Sequence, residues 1–266
     1  NNDYKISQLE NLLTNFELSN FRDDALFQLG NSYSAQKENK NAHRVYKTLF
    51  KNFPRSSYIS RALLRDGLLF YNDDENQKAL KNYKEIVTKY PNSAEAKEAV
   101  TNAKNVYIDL GTVDEYATWA KGISFINITD AEIDNTTYEA AENKFLANDI
   151  LKAMEGFKKY IKAFPKGLHA LQANFYLAQL LVKTNLQEDA VSNYQYVINQ
   201  PQSEFSEEAL NKLSQLLLEK EDWSNAIPLL ERLEIEANVN TGKGYVSAEV
   251  AEDEDKLIGE IKIDAM

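Results

Sequence analysis

Small and large apolar residues recur along this chain in columns 37 residues apart, with a step of 36 at the end. One column is small except at Tyr116, and its members are Ala42, Ala79, Tyr116, Ala153, Ala190 and Ala226. Four residues later, most repeats carry a large side chain, namely Tyr46, Tyr83, Phe157, Tyr194 and Leu230. A fixed period of about 20 to 50 residues indicates an array built from one supersecondary unit.

Each repeat contains two segments whose apolar residues have the spacing of a helix face. In the first segment, Leu26, Leu29 and Tyr33 lie three or four residues apart, and in the second Ala42 and Tyr46 do the same. A small residue on each segment lets the two helices approach closely, and an aromatic ring fills the remaining space. A proline ends the second segment in several repeats, because it cannot donate an amide hydrogen. The sequence therefore predicts an all-α fold of stacked helix pairs.

These recurring residues resemble the signature of the tetratricopeptide repeat. In the first repeat the resemblance is carried by Leu29, Gly30, Tyr33, Ala42, Tyr46 and Pro54, and it extends over about residues 20 to 238. It implies a right-handed α-α superhelix that acts as a non-enzymatic scaffold for protein-protein interaction. The period of 37 and the ending YPNS at Tyr90–Ser93 are similar to an envelope-type subfamily found in bacterial outer-membrane assembly and Tol-Pal coordination. That similarity implies a periplasmic or outer-membrane-associated protein within a larger envelope complex, with a cytoplasmic location as the alternative.

The pattern divides the chain into two blocks of repeats and a tail. Residues 1–125 hold a half repeat and three repeats, residues 126–238 hold three repeats, and residues 239–266 follow none of the columns. The division is placed at the third repeat, where Tyr116 replaces the small residue and Ile123–Asp130 forms a longer connection before the next helix. A large residue where two helices touch implies a wider separation or a shifted register.

The tail has the pattern of a short β-hairpin. NTGKGYVSAE supplies turn residues beside Tyr and Val, and LIGEIKID alternates apolar with charged residues. The phrases GKGYVSAE and IGEIKIDA resemble a segment of the bacterial RNA polymerase α-subunit N-terminal domain. Because residues 239–266 are too few to form that domain, the resemblance implies a chimeric or misjoined C-terminus and no polymerase function.

Charge and composition exclude several classes of function. The formal net charge of -11 argues against a nucleic-acid surface and against adhesion to anionic lipid, and no apolar run is long enough for a membrane span. The chain has no cysteine, and its two histidines, His43 and His169, stand in different repeats, where packed or solvated roles are expected. Motifs such as HExxH, GxSxG, Walker A and GxGxxG are absent. We expect no catalytic, cofactor-binding or metal-binding residue, so a hydrolase or metal-binding domain is the disfavoured alternative.

The resemblance further implies a concave groove lined by the first helix of each repeat. Aromatic and aliphatic positions alternate there with amides, which suits an extended peptide or a partner helix. The residues assigned to the groove are Phe27, Asn31, Leu64, Leu68, Tyr71, Asn105, Tyr138, Phe175 and Gln179. The acidic C-termini of heat-shock chaperones are disfavoured as partners, because the groove offers them no fixed cation. A structural spacer with an empty groove, set within a larger complex, is the alternative function.

Overall fold

The computed structural model describes residues 2–241, and the regular structure in that range is helical throughout. The first of two compact units, Asn1–Thr129, contains α1 (Asn2–Asn15), α2 (Arg22–Ala35), α3 (Asn39–Asn52), α4 (Ile59–Asn72), α5 (Asn76–Lys89), α6 (Ala94–Leu110) and α7 (Val113–Lys121). The second begins at Asp130 and contains α8 (Asp130–Leu146), α9 (Ile150–Ala163), α10 (Ala170–Lys183), α11 (Gln187–Ile198), α12 (Ser206–Glu219) and α13 (Trp223–Thr241). The predicted all-α fold class is confirmed.

The residues of the small-residue column are buried in every helix pair. All five of its alanines are 0% exposed, and Tyr116 is 2% exposed. The large residues four positions later are buried as well, from 0% exposure at Tyr46 and Tyr83 to 6% at Leu230. Both columns predicted from the sequence are therefore confirmed as packing columns.

Glycine is the facing residue in the first two pairs because a tyrosine ring occupies the space of a side chain. A Cβ atom placed on Gly30 would lie 2.4 Å from Cε1 of Tyr46, and one on Gly67 would lie 2.6 Å from Cε1 of Tyr83. Carbon atoms do not approach so closely without displacement, because core packing is already dense. The tyrosine ring of the second helix thus packs directly against the backbone of α2 in the first pair and of α4 in the second.

The two helices of every repeat are joined by the same kind of turn, which we call the corner. One residue at each corner has positive φ, and these residues are Lys37, Asp74, Gly111, Asn148, Asn185 and Glu221. The next amide donates to the carbonyl five residues back, as Glu38 does to Tyr33 at 2.9 Å. This pair of features is the Schellman motif that ends many helices. The repeat of 37 residues is therefore present in the backbone as well as in the side chains.

Departures from the repeat occur in the third pair and at the C-terminal end. Helix α7 has nine residues, whereas α3 and α5 have fourteen each, and α8 begins at Asp130, as predicted. Helix α13 continues to Thr241, past the predicted end of the repeats at residue 238, because no Gly or Pro follows Pro228 before Gly242. From residue 242 onward, the predicted hairpin of residues 239–266 lies outside the described residues.

Candidate binding surfaces

Four of the predicted groove residues pack into the interior of their units. Phe27, Leu64, Tyr138 and Phe175 are each exposed by 8% or less. Phe27 is buried because its ring stacks on Tyr58, with the ring centroids 5.1 Å apart. Tyr58 immediately precedes the first helix of the next repeat, so the next repeat covers the predicted groove residue.

The other buried groove rings are covered in a similar way. Phe175 meets Phe205, which immediately precedes α12, at 4.7 Å between centroids. Tyr138 stacks on His169 at 4.2 Å, and burial, followed by its hydrogen bond to Glu142, raises the pKa of its phenol. These four positions therefore close the packing instead of forming an open surface. That they bind a partner stays a prediction.

Two predicted groove amides are engaged in hydrogen bonds within their own units. The Asn31 side-chain oxygen accepts a hydrogen bond of 2.8 Å from the hydroxyl of Tyr46. The Gln179 amide donates one of 2.8 Å to the Glu208 carboxylate, which joins α10 to α12. Both amides therefore support the repeat packing directly.

The remaining three predicted residues form a more open surface, which we call the α4–α6 face. Leu68 is 38% exposed, Asn105 is exposed and Tyr71 is half-buried. The Tyr71 hydroxyl donates to the Asp109 carboxylate and so links α4 to α6. Burial, followed by this hydrogen bond, raises the pKa of Tyr71 to about 12, so its phenol is neutral at physiological pH. The α4–α6 face thus combines an apolar side chain, an amide and a fixed phenol.

A cleft of about 590 Å³ lies between α3, α4 and α5, and we call it the α3–α5 cleft. Its apolar lining includes Phe50, Leu63 and Phe70. On α4, the lining residues Asp66 and Phe70 belong to the side opposite Leu68, since residues two apart point in nearly opposite directions on a helix. Its volume is in the range of about 300 to 1,000 Å³ that is usual for ligand sites.

Asp66 joins the three helices that form this cleft. Its carboxylate is 2.6 Å from Nδ1 of His43 on α3 and accepts a hydrogen bond of 2.8 Å from the Asn82 amide on α5. The His43 ring also stacks on Phe70 at 4.0 Å between centroids. Burial raises the pKa of the Asp66 carboxyl, while the hydrogen bonds from His43 and Asn82 oppose that shift. A buried carboxylate held in this way fixes the relative positions of its donors.

Asp66 is not among the residues predicted from the sequence, although the sequence contains a signal for it. The equivalent positions in the other repeats are apolar, namely Leu29, Ala103, Ala140, Leu177 and Leu213. A single carboxylate in an apolar column indicates a buried polar contact, because an unpaired buried charge is costly. His43 was expected to be packed or solvated, and it is half-buried against Phe70.

The second unit contains a cleft at the equivalent place, three repeats further along the chain. It has a volume of about 550 Å³ and is lined by Ile161, Leu177 and Asn193 among others. Leu177 stands where Asp66 stands in the first unit. Asn193, the counterpart of Asn82, donates instead to Asn174 at 2.9 Å. The second cleft therefore has the same place in its repeat without the buried carboxylate.

Between Asn2 and Thr241, no group of three or more His, Cys, Asp or Glu side chains is placed to hold a metal ion. None of the helices in that range combines the length and the apolar character that a bilayer crossing requires. In the first unit, the α4–α6 face and the α3–α5 cleft are two surfaces that can receive a partner.

Two segments of the chain match the model of the tetratricopeptide repeat family. The matched residues are 24–56, which contain most of α2 and all of α3, and 61–93, which contain most of α4 and all of α5. Each of these segments is similar to a tetratricopeptide repeat. The α3–α5 cleft lies between them. No curated protein matches the sequence.

Solved structures with a similar arrangement of helices share little sequence with this chain. A chain in the structure of Naa15/Naa10 bound to HypK-THB is 16% identical with a TM-score of 0.50, and the match covers 88% of this chain and 34% of that one. A tetratricopeptide repeat protein from Parabacteroides merdae is 15% identical with a TM-score of 0.41, covering 95% and 90%. The TPR2AB domain of yeast Sti1 is 17% identical with a TM-score of 0.38, covering 96% and 90%. At this level of identity, the likeness to the Naa15/Naa10 structure concerns the fold alone.

Proposed function

We propose that this chain is a non-enzymatic scaffold that holds an extended peptide or a partner helix on the α4–α6 face. The observation that carries the proposal is the surface made by Leu68, Tyr71 and Asn105 on adjacent first helices of two repeats. An exposed leucine can receive an apolar side chain, while the amide and the phenol can pair with backbone groups. The match of residues 24–56 and 61–93 to the tetratricopeptide repeat family supports the same function.

The test is selection of peptides from a random dodecapeptide display library on the purified chain. Peptides selected on the wild type should bind the Leu68→Glu variant about tenfold more weakly, because a carboxylate replaces the apolar contact. Leu110→Glu is the matched control, since Leu110 on α6 is also 38% exposed. Failure to enrich any peptide, or equal loss in both variants, would contradict this function.

A structural spacer is the second candidate, and the burial of four predicted groove residues favours it. In a spacer, the rings of Phe27 and Phe175 serve only the stacking of successive repeats. The same library selection separates the two candidates, because a spacer should enrich no peptide on the α4–α6 face.

We also propose that the protein works in the bacterial cell envelope as part of a larger complex. The period of 37 residues and the YPNS ending at Tyr90–Ser93 support this location. Fractionation of cells that express the protein tests it. Recovery with periplasmic or outer-membrane material is expected, and recovery with the cytoplasm would contradict it.

A further inference from the structure

We propose that the α3–α5 cleft is a second docking site, which takes an acidic segment of a partner protein that inserts an apolar side chain. The cleft belongs to the side of α4 opposite the α4–α6 face, so the two sites are separate. This proposal does not depend on the function assigned to the α4–α6 face.

The interior of the cleft suits an apolar side chain. Phe50 and Phe70 are half-buried and line it, and Leu63 at 3% exposure contributes to its inner wall. Half-buried aromatic rings still have apolar surface that a ligand can remove from water, and this removal is favourable. The apolar part of a docking segment would therefore be stabilised here.

The rim of the cleft is basic, although the chain as a whole has a net charge of -11. Four cations line it, namely Arg44, Lys47, Lys81 and Lys89. Lys89 pairs with Glu85 at 2.8 Å, whereas the other three form no ion pair with any residue between Asn2 and Thr241. Three exposed, uncompensated cations on an acidic protein form a local positive field, which attracts and orients an acidic partner.

The carboxylate inside the cleft does not oppose an acidic ligand in the way an open carboxylate would. Both oxygens of Asp66 already have partners, His43 on one side and Asn82 on the other. Asp66 also fixes α3 and α5 relative to α4, and these two helices carry the unpaired cations. The buried contact therefore preorganises the basic rim.

The equivalent cleft of the second unit differs from the α3–α5 cleft in the charge of its rim. Its charged lining consists of Lys158, Lys162, Glu188 and Asp189, and Glu188 pairs with Lys220 at 3.1 Å, so only two cations line it against four in the first cleft. With fewer cations, the rim of the second cleft attracts an acidic ligand less strongly. The stronger binding of an acidic ligand is therefore expected at the first cleft.

The experiment measures binding of a fluorescein-labelled dodecapeptide of Glu, Asp and Leu residues to the whole chain by fluorescence anisotropy. The double variant Lys47→Glu with Lys81→Glu should bind it at least about tenfold more weakly than the wild type, and added salt should weaken wild-type binding. The matched control is Lys158→Glu with Lys162→Glu, which changes the net charge equally and should bind like the wild type. Leu68→Glu should also bind like the wild type, which separates this site from the α4–α6 face. Circular dichroism establishes that each variant is folded.

Several results would overturn the proposal. They are an absence of binding up to about 1 mM peptide, equal weakening in the two double variants, and tighter binding of a peptide with Lys in place of the acidic residues. Binding that appears only after Glu252, Asp253, Glu254 and Asp255 are changed to amides would assign the cleft to this chain's own acidic run. Dimers in sedimentation that are lost in the Lys47→Glu, Lys81→Glu variant would assign it to a second copy.

Discussion

The second helix of each pair in the first unit carries one buried alanine and one buried tyrosine, four residues apart. Their order in the pair α6–α7 is the reverse of their order in the pairs α2–α3 and α4–α5. In α3 the alanine comes first and Tyr46 follows four residues later, and its ring lies against Gly30. In α7, Tyr116 comes first and Ala120 follows, and both are buried at 2% and 0% exposure. The residue that faces this pair at the position of Gly30 is Lys104, which is half-buried.

In the first two pairs, the glycine and the tyrosine therefore pack as one unit. In the first two pairs, where the ring stands at the second position, the facing residue is glycine, whereas Ala178 stands at that position opposite Tyr194 in the pair α10–α11. When the ring moves one turn earlier, it meets Tyr107 at 6.1 Å and Trp119 at 6.4 Å between centroids, and the facing position accepts a lysine. Cores tolerate such an exchange because the total side-chain volume is kept.

The largest effect is expected when the ring is removed from the pair α4–α5. Tyr83→Ala should lower the free energy of unfolding by about 3 to 5 kcal/mol, because a fully buried aromatic leaves a cavity. Urea denaturation followed by circular dichroism measures it. Tyr4→Ala is the control, since Tyr4 is 67% exposed and should change little. A similar small change at Tyr83 would refute the packing assignment.

The next effect comes from filling the glycine site. Gly67→Ala should destabilise the protein by about 1 to 3 kcal/mol, because the new Cβ would lie 2.6 Å from the Tyr83 ring. Lys104→Ala, at the same position of the third pair, should stay within about 0.5 kcal/mol. A double-mutant cycle of Gly67→Ala with Tyr83→Ala should show strong coupling. Additive effects would mean that the two residues act independently.

The smallest effect separates the first pair from the second. Tyr46→Phe should cost about 0.5 to 1.5 kcal/mol, because the Tyr46 hydroxyl loses its hydrogen bond to Asn31. Tyr83→Phe should be neutral or stabilising, because Leu68 stands where Asn31 does in the first repeat, and the buried Tyr83 hydroxyl has no hydrogen-bond partner among the described residues. Thermal melts of the two variants test this, and an equal loss in both would contradict it.

The sequence predicted the parts of the fold that repeat. The columns at Ala79 and Tyr83, the proline after α5 and the start of α8 at Asp130 all follow from local spacing and backbone chemistry. These features need no knowledge of distant contacts, because each repeat packs on its neighbours in the chain.

Local spacing in the sequence does not predict which of the groove residues are exposed. Phe27 is covered by Tyr58, a residue that lies outside the helix columns and whose contact depends on the angle of the connection before α4. Asp66 was predictable in principle as a charge in an apolar column. Its partners His43 and Asn82 come from two other helices, and only the folded arrangement identifies them.

The corners between paired helices are positions where substitution should raise the stability of the fold. Five of the six positions with positive φ carry side chains that disfavour it, namely Lys37, Asp74, Asn148, Asn185 and Glu221. A left-handed conformation costs a residue with a Cβ about 1 to 2 kcal/mol, and less for Asn or Asp. Because the corners stand in different repeats, glycine substitutions there should combine additively. Such a chain would withstand more drastic changes to its binding surfaces, which makes the corners the natural starting point for engineering new partners.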